Sequence, residues 1–227
     1  MNYKTYTFRK TPPGPFTASG LRVIVIIALV VFILLAGRQL RAEKAKTFLI
    51  SDFDYTNNTI DFTRLYRFVK SFTNRLTYSD IEVIYRHSVI FKINPVLMLA
   101  RMQQESDLLF ENAKGNRHTW RKYRAMGYGL YKNFRAGGKK FYVYGGYELQ
   151  VYFAARTMRK LFDEYRPGVK KKILDTGETI KPENAGTYGL YRYLPFYGKH
   201  NKYGWKYEAG GNKYMLKHFR YLNGKIK

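Results

Sequence analysis

The sequence contains no cysteine, which excludes a disulfide, a thiolate nucleophile and any cysteine-based metal site. Histidine is nearly as scarce. The four present, His87, His118, His200 and His218, lie far apart and form no i,i+4 ligand pair, so no zinc site is expected, and no cofactor. Acidic residues number 16 against 41 lysines and arginines, a formal charge of +25. No internal repeat is evident, and no segment shows the alternating pattern of a series of strands.

What is present is a folding sequence. At 227 residues, 45% hydrophobic and 18% aromatic, the chain can hold one anchoring segment and a single domain with a real core, but not two catalytic domains. Its charge therefore belongs to a surface. Residues 1–42 carry six basic side chains and no acid, and the remainder still stands at +19. Such a field favours a polyanionic partner: nucleic acid, an anionic lipid surface, or a cell-wall polymer.

From Val23 to Ala36 the sequence VIVIIALVVFILLA carries no charge, with Arg22 before it and Arg38 and Arg41 after. Fourteen residues at about 1.5 Å each span roughly 21 Å, short of the ~30 Å hydrocarbon core. Counting from Phe16 to Gly37 gives adequate length if Arg22 snorkels to the interface. The reading is an uncleaved signal anchor; a cleaved signal peptide and a buried core helix are the alternatives. Basic residues on both flanks leave the positive-inside rule nearly silent. A short leader that stays inside places the C-terminal domain outside, on the periplasmic or wall side of the inner membrane. The organisation expected is a leader over residues 1–20, a transmembrane anchor over 21–37, a stalk over 38–60 and a helical domain over 61–227 with a basic tail.

Helical periodicity begins near Asp61, with Phe62, Leu65, Tyr66, Phe68, Val69 and Phe72 on one face. Ser79 with Glu82 reads as a capping box introducing Ile81 to Phe91. Asn94-Pro95 is a further start signal, a capping side chain followed by proline at the first helical position. Glu148 to Tyr165 repeats at helical spacing and stops before Pro167. Asn184 to Tyr193 reads as a last helix. Between these lies a loop, Gly115 to Gly146, rich in Gly, Tyr, Lys and Arg. The fold class expected is all-α or α-dominated with one long site-forming loop.

On the helix opened by Asn94, Met98, Met102, Glu105 and Leu109 fall at steps of four, three and four and share a stripe. A carboxylate set among such neighbours is partly desolvated, which raises its pKa and suits it to give a proton to a glycosidic oxygen. The competing reading is a structural ion pair with Arg101, Arg121 or Arg124.

The segment Ile93 to Ser106, INPVLMLARMQQES, resembles the catalytic helix of the lytic transglycosylase and goose-type lysozyme superfamily. Two further segments follow in that family's order. Ala125-Met126-Gly127-Tyr128-Gly129-Leu130-Tyr131 stands where the family has a Gly-Leu-Met-Gln-like segment, and it lacks the Gln. Asn184-Ala185-Gly186 stands where an Asn-Ala-Gly segment lines the glycan cleft, with Glu183 in place of the usual preceding tyrosine. The resemblance covers residues 79–197 and implies a lysozyme-like helical domain with Glu105 as catalytic acid/base. Ser106, Gln104, Tyr128, Gly129, Asn184 and Tyr188 are the candidates for holding substrate.

Glycosidases usually need two carboxylates, and only Glu105 stands out. The resemblance therefore implies a non-hydrolytic route on peptidoglycan. Glu105 protonates the bond between N-acetylmuramic acid and N-acetylglucosamine, then deprotonates the muramoyl 6-hydroxyl, which closes on C1. The alternatives are a muramidase or glucosaminidase in which Asp107, Glu111, Glu148 or Glu183 assists water, and a non-catalytic wall-binding scaffold. Nucleic acid is not an expected partner, because the anchor puts the basic surface on the wrong side of a membrane.

Overall fold

The computed structural model describes residues 18–110, 116–129, 133–136, 139–200 and 209–226. The chain divides into two compact units, Met1–Lys44 and Ala45–Lys227. The first contains most of α1 (Ala18–Thr47). The apolar side chains of α1 from Val25 to Leu35 are exposed, so this is not a core helix. By length and composition it can cross a membrane. Most of the expected leader, residues 1–17, lies outside the described residues.

The second unit is helix-dominated. Its helices are α2 (Asp52–Thr56), α3 (Phe62–Phe72), α4 (Tyr78–Phe91), α5 (Pro95–Ser106), α6 (Asn116–Tyr123), α7 (Tyr147–Asp163), α8 (Ala185–Tyr193) and α9 (Asn212–Lys225). Among the described residues, three antiparallel two-stranded ribbons, which the sequence does not announce, interrupt them. They are β1 (Asn133–Ala136) with β2 (Lys139–Tyr142), β3 (Lys171–Lys172) with β4 (Thr179–Ile180), and β5 (Lys199–His200) with β6 (Ala209–Gly210).

Helix starts follow short polar side chains. Asp61 accepts from the Arg64 amide at the head of α3. The capping box of α4 uses Thr77 and Asp80, not Ser79 and Glu82. Thr77 is the last residue with extended backbone, and Ser79 already lies inside the helix. Asn94 accepts from the Val96 amide at 2.9 Å and donates to the Asp54 carbonyl at 2.8 Å, so one amide caps α5 and ties it to α2.

Helix α5 is the axis of the domain, with every residue from Pro95 to Gln103 buried. It packs on α4 and on α9, while α7 packs on α4 and α8. The expected basic tail thus contains a core helix: Met215, Leu216, Phe219 and Leu222 of α9 are buried. The expected stalk also joins the domain from its C-terminal half, because Leu49, Ile50 and Tyr55 belong to the same core. Tyr55 is fully buried, stacks on Phe162 at 5.2 Å and donates to the Met158 carbonyl. That burial pushes its hydroxyl pKa up.

Two outcomes follow for the purified protein. Replacing Asn94 by Ala removes the cap and the α2 tie together and is expected to cost about 2 kcal/mol in urea unfolding. His87 is buried, neither ring nitrogen finds a hydrogen-bond partner among the described residues, and the ring packs edge-on to Tyr152. Burial first, then Arg86, lowers its pKa, with Glu148 opposing. The unfolded ring takes a proton below about pH 6.5 while the folded ring resists. Stability is therefore held above that pH and lost as pH falls through it. His118 and His218 are lowered in the same direction, so His87→Phe should reduce the acid-side loss, not abolish it, in denaturation curves between pH 7.5 and 5.

Candidate functional site

Helix α5 ends at Ser106 because Asp107 turns into the left-handed region, φ 50°. Gln103 reinforces the stop: its carbonyl oxygen accepts from the amides of Leu109 and Phe110, and its nitrogen donates to the Asp107 carboxylate. Leu109 therefore lies beyond the helix and does not continue the Met98, Met102, Glu105 stripe. Glu105 sits on the last turn with a quarter of its side chain exposed, and its Oε1 lies 3.2 Å from an Arg101 guanidinium nitrogen. Arg101 is buried, 5% exposed along its side chain. What Glu105 meets is thus a charge of opposite sign from the preceding turn, not the apolar enclosure the sequence suggested.

The cation is itself held. Its guanidinium lies 4.5 Å from the centre of the Tyr193 ring, a cation–π contact made in a dry setting. The Tyr193 hydroxyl donates to the Met126 carbonyl at 3.3 Å, and burial raises its pKa. Leu97, Met158, Leu190 and Met215 join Arg101 and Tyr193 around a small cavity, so α5, α7, α8 and α9 all converge on this cation.

The second carboxylate oxygen faces the loop after α6. Gly127 adopts φ +66°, and a Cβ at that position would lie 2.4 Å from Glu105 Oε2. Only glycine supplies both the backbone conformation and the room. Ser106 turns inward and donates to the carbonyls of Met102 and Ala125, which ties the end of α5 to the residues that deliver Gly127. Its part is to shape the loop.

Beyond Gly127, buried Gln150 of α7 fastens the backbone. Its oxygen accepts from the Tyr128 amide, and its nitrogen donates to the carbonyls of Tyr128 (2.8 Å) and Tyr144 (2.6 Å). The Tyr128 ring lies flat against Phe153 at 5.6 Å. Gly129, at φ +60°, accommodates the Tyr144 ring. Leu130 and Tyr131 of the same motif lie outside the described residues.

The other candidates are placed as follows. Gln104 donates to the Gly211 carbonyl at the head of α9. Asn184 caps α8, accepting from the Thr187 amide and donating to the Ile50 carbonyl, so its amide serves the fold. Tyr188 is buried beside Tyr165. Tyr193, five residues further along α8, reaches the Arg101–Glu105 pair instead. Of the acids named as helpers for water, Glu148 pairs with Arg86, Glu183 accepts from Thr47, and Asp107 caps α5 with Arg121 4.0 Å away. Glu111 lies outside the described residues, and these contain no acidic or histidine cluster that could hold a metal.

Gln150 and Tyr193 were the residues missed. Gln150 had a visible signal, since it shares the buried face of α7 with Val151, Ala154, Ala155 and Met158, where an uncharged polar side chain must have partners. Tyr193, one of 22 tyrosines, had none. No family model, no curated protein and no solved structure matches the chain.

A methyl group at position 127 tests the contact with the carboxylate. Gly127→Ala combines the left-handed penalty with a collision against Glu105, and is expected to cost about 2 kcal/mol or more in denaturant unfolding. Gly37→Ala, inside α1 where nothing lies within 4 Å of the added carbon, is the control and should not destabilise, since alanine favours a helix interior over glycine.

Proposed function

We propose that the chain is a membrane-anchored peptidoglycan lytic transglycosylase with Glu105 as its single acid/base, acting outside the cytoplasm on glycan strands. The observation that carries this reading is the placement of Glu105. A partly exposed carboxylate stands at the end of a buried helix, with one oxygen on a buried guanidinium and the other under the glycine of the loop that resembles the family's second segment.

In this reading Oε2 carries the reacting proton, because Oε1 is engaged by Arg101. Glu105 gives the proton to the glycosidic oxygen between N-acetylmuramic acid and N-acetylglucosamine as that bond breaks. Arg101 balances the carboxylate charge left behind. The same carboxylate then takes the proton of the muramoyl 6-hydroxyl, whose oxygen bonds to C1. The proton count closes, no water is consumed, and no second carboxylate is needed, consistent with Asp107, Glu148 and Glu183 being engaged elsewhere.

One observation favours a second reading. An i,i+4 pair with a buried arginine is also what a structural ion pair looks like, and a wall-binding scaffold would retain it. Glu105→Gln separates the two, because glutamine keeps an acceptor for Arg101 while losing the acid. Full-length protein in non-ionic detergent is incubated with isolated sacculi, and released fragments are weighed by mass spectrometry. The wild type is expected to release fragments ending in anhydromuramic acid, one water lighter than hydrolysed ends. Glu105→Gln should release them at least about 100-fold more slowly. Equal release by both proteins contradicts the assignment.

A further inference from the structure

The ribbon β1–β2 grows out of the loop that touches Glu105, and its two feet are fastened at one place. Gln150 binds Tyr128 before the ribbon and Tyr144 after it. The Tyr123 hydroxyl accepts from the Tyr142 amide and donates to its carbonyl, and the Gly146 amide donates to the Tyr123 carbonyl. A two-stranded ribbon is marginal by itself in water; this one is held from below by buried or half-buried side chains.

What the ribbon presents is unlike a solvated loop. Phe134 and Phe141 are direct cross-strand partners, their rings stack at 5.6 Å and 20°, and they are 54% and 36% exposed. Val143, just past β2, is also exposed, as is Trp120 of α6, which stacks on Tyr123 and lies 5.7 Å from the Tyr142 ring. Arg135, on the opposite face and also exposed, is paired in register with Lys140. From Asn112 to Tyr147 the chain has nine lysines and arginines and no acid. A stacked, exposed aromatic pair offers a flat face on which a ring can pack, and an acid-free stretch of this length attracts anions.

We infer that this ribbon is a second binding surface, for the peptide-bearing form of the glycan strand, with sugar rings stacking on Phe134 and Phe141 and stem-peptide carboxylates meeting Arg135. The inference rests on the activity proposed at Glu105. Charge complementarity and continuity select this occupant: the strand that reaches Glu105 passes the loop carrying Gly127, and the ribbon is the next stretch of that loop. A neutral glycan, with neither stem peptides nor lactyl carboxylates, would use the rings but leave the cation idle.

The test measures retention of the full-length protein on insoluble wall, in non-ionic detergent and in the Glu105→Gln background so that nothing is digested. One probe is intact sacculi, the other is chitin, a β-1,4-linked N-acetylglucosamine polymer that carries neither peptide nor carboxylate. Phe134→Ser/Phe141→Ser/Arg135→Ala should lose about tenfold or more in apparent Kd for intact sacculi relative to its parent, the size expected for two aromatic contacts and a cation. Arg135→Ala alone, an exposed site that cannot disturb the core, should weaken binding to intact sacculi while leaving binding to chitin unchanged. Unchanged retention of both variants on intact sacculi overturns the inference. So does an Arg135→Ala loss that is equal on the two probes, which would mark the cation as indifferent to peptide. A protein with Glu105 intact that releases no anhydromuropeptide refutes the proposed activity but leaves these binding results standing.

Discussion

The site is organised by a buried positive charge that must be matched. Arg101 lies on the most buried helix of the domain, and an uncompensated guanidinium there would cost about 3–5 kcal/mol. Tyr193 supplies a ring face and Glu105 supplies the counter-charge. Once Arg101 is enclosed by α7, α8 and α9 around its own helix, the carboxylate one turn later has little freedom. That fixes one oxygen and leaves the other to face the loop. Exposure of a quarter of the Glu105 side chain weakens the pair relative to a fully dry one, but it also keeps the carboxylate open to a ligand.

The loop is held by complementary means. Ala125 and Met126 are buried in the core, and the loop's backbone is further secured by polar groups sent from there: Ser106 to Ala125, Tyr193 to Met126, and Gln150 to Tyr128 and Tyr144. Glycines stand where the backbone turns left-handed against Glu105 and against Tyr144. A buried glutamine satisfying three backbone groups is a costly arrangement to leave half-made, which is why the loop conformation and the position of α7 depend on each other. The ribbon above this clamp can present exposed aromatics because its base does not rely on them.

Much of the framework was legible in the sequence because it is written in local signals. Asn94-Pro95 marks the start of α5 in the right place, periodic apolar residues place α3 and α7 to within a residue or two, and the stretch that stops before Pro195 matches α8. The errors arose where tertiary partners decide. Thr77 outcompetes Ser79 as a cap because the chain before it is extended. The residues taken for a stalk bury Leu49, Ile50 and Tyr55 because α8 and α7 come to meet them. Helix α9 was hidden by its basic composition, although Met215, Leu216, Phe219 and Leu222 carried the helical spacing. At the site, the position of Glu105 was readable, while its surroundings were not. Arg101 was visible only as an alternative partner, and Tyr193 arrives from a helix 88 residues away in the chain from Glu105.

The chemistry proposed for this arrangement is economical: one carboxylate, a neighbouring cation to balance it, and a substrate hydroxyl in place of water. In this proposal, one carboxylate acting twice, with the 6-hydroxyl attacking C1, is what separates ring closure from hydrolysis. The most direct test is digestion of sacculi in water enriched in oxygen-18, followed by mass analysis of the fragment ends. The account predicts that the new muramoyl ends carry no label, because their C1 oxygen comes from the substrate's own 6-hydroxyl. Incorporation of one oxygen-18 atom at C1 of each new end would show that water attacks, and would contradict it.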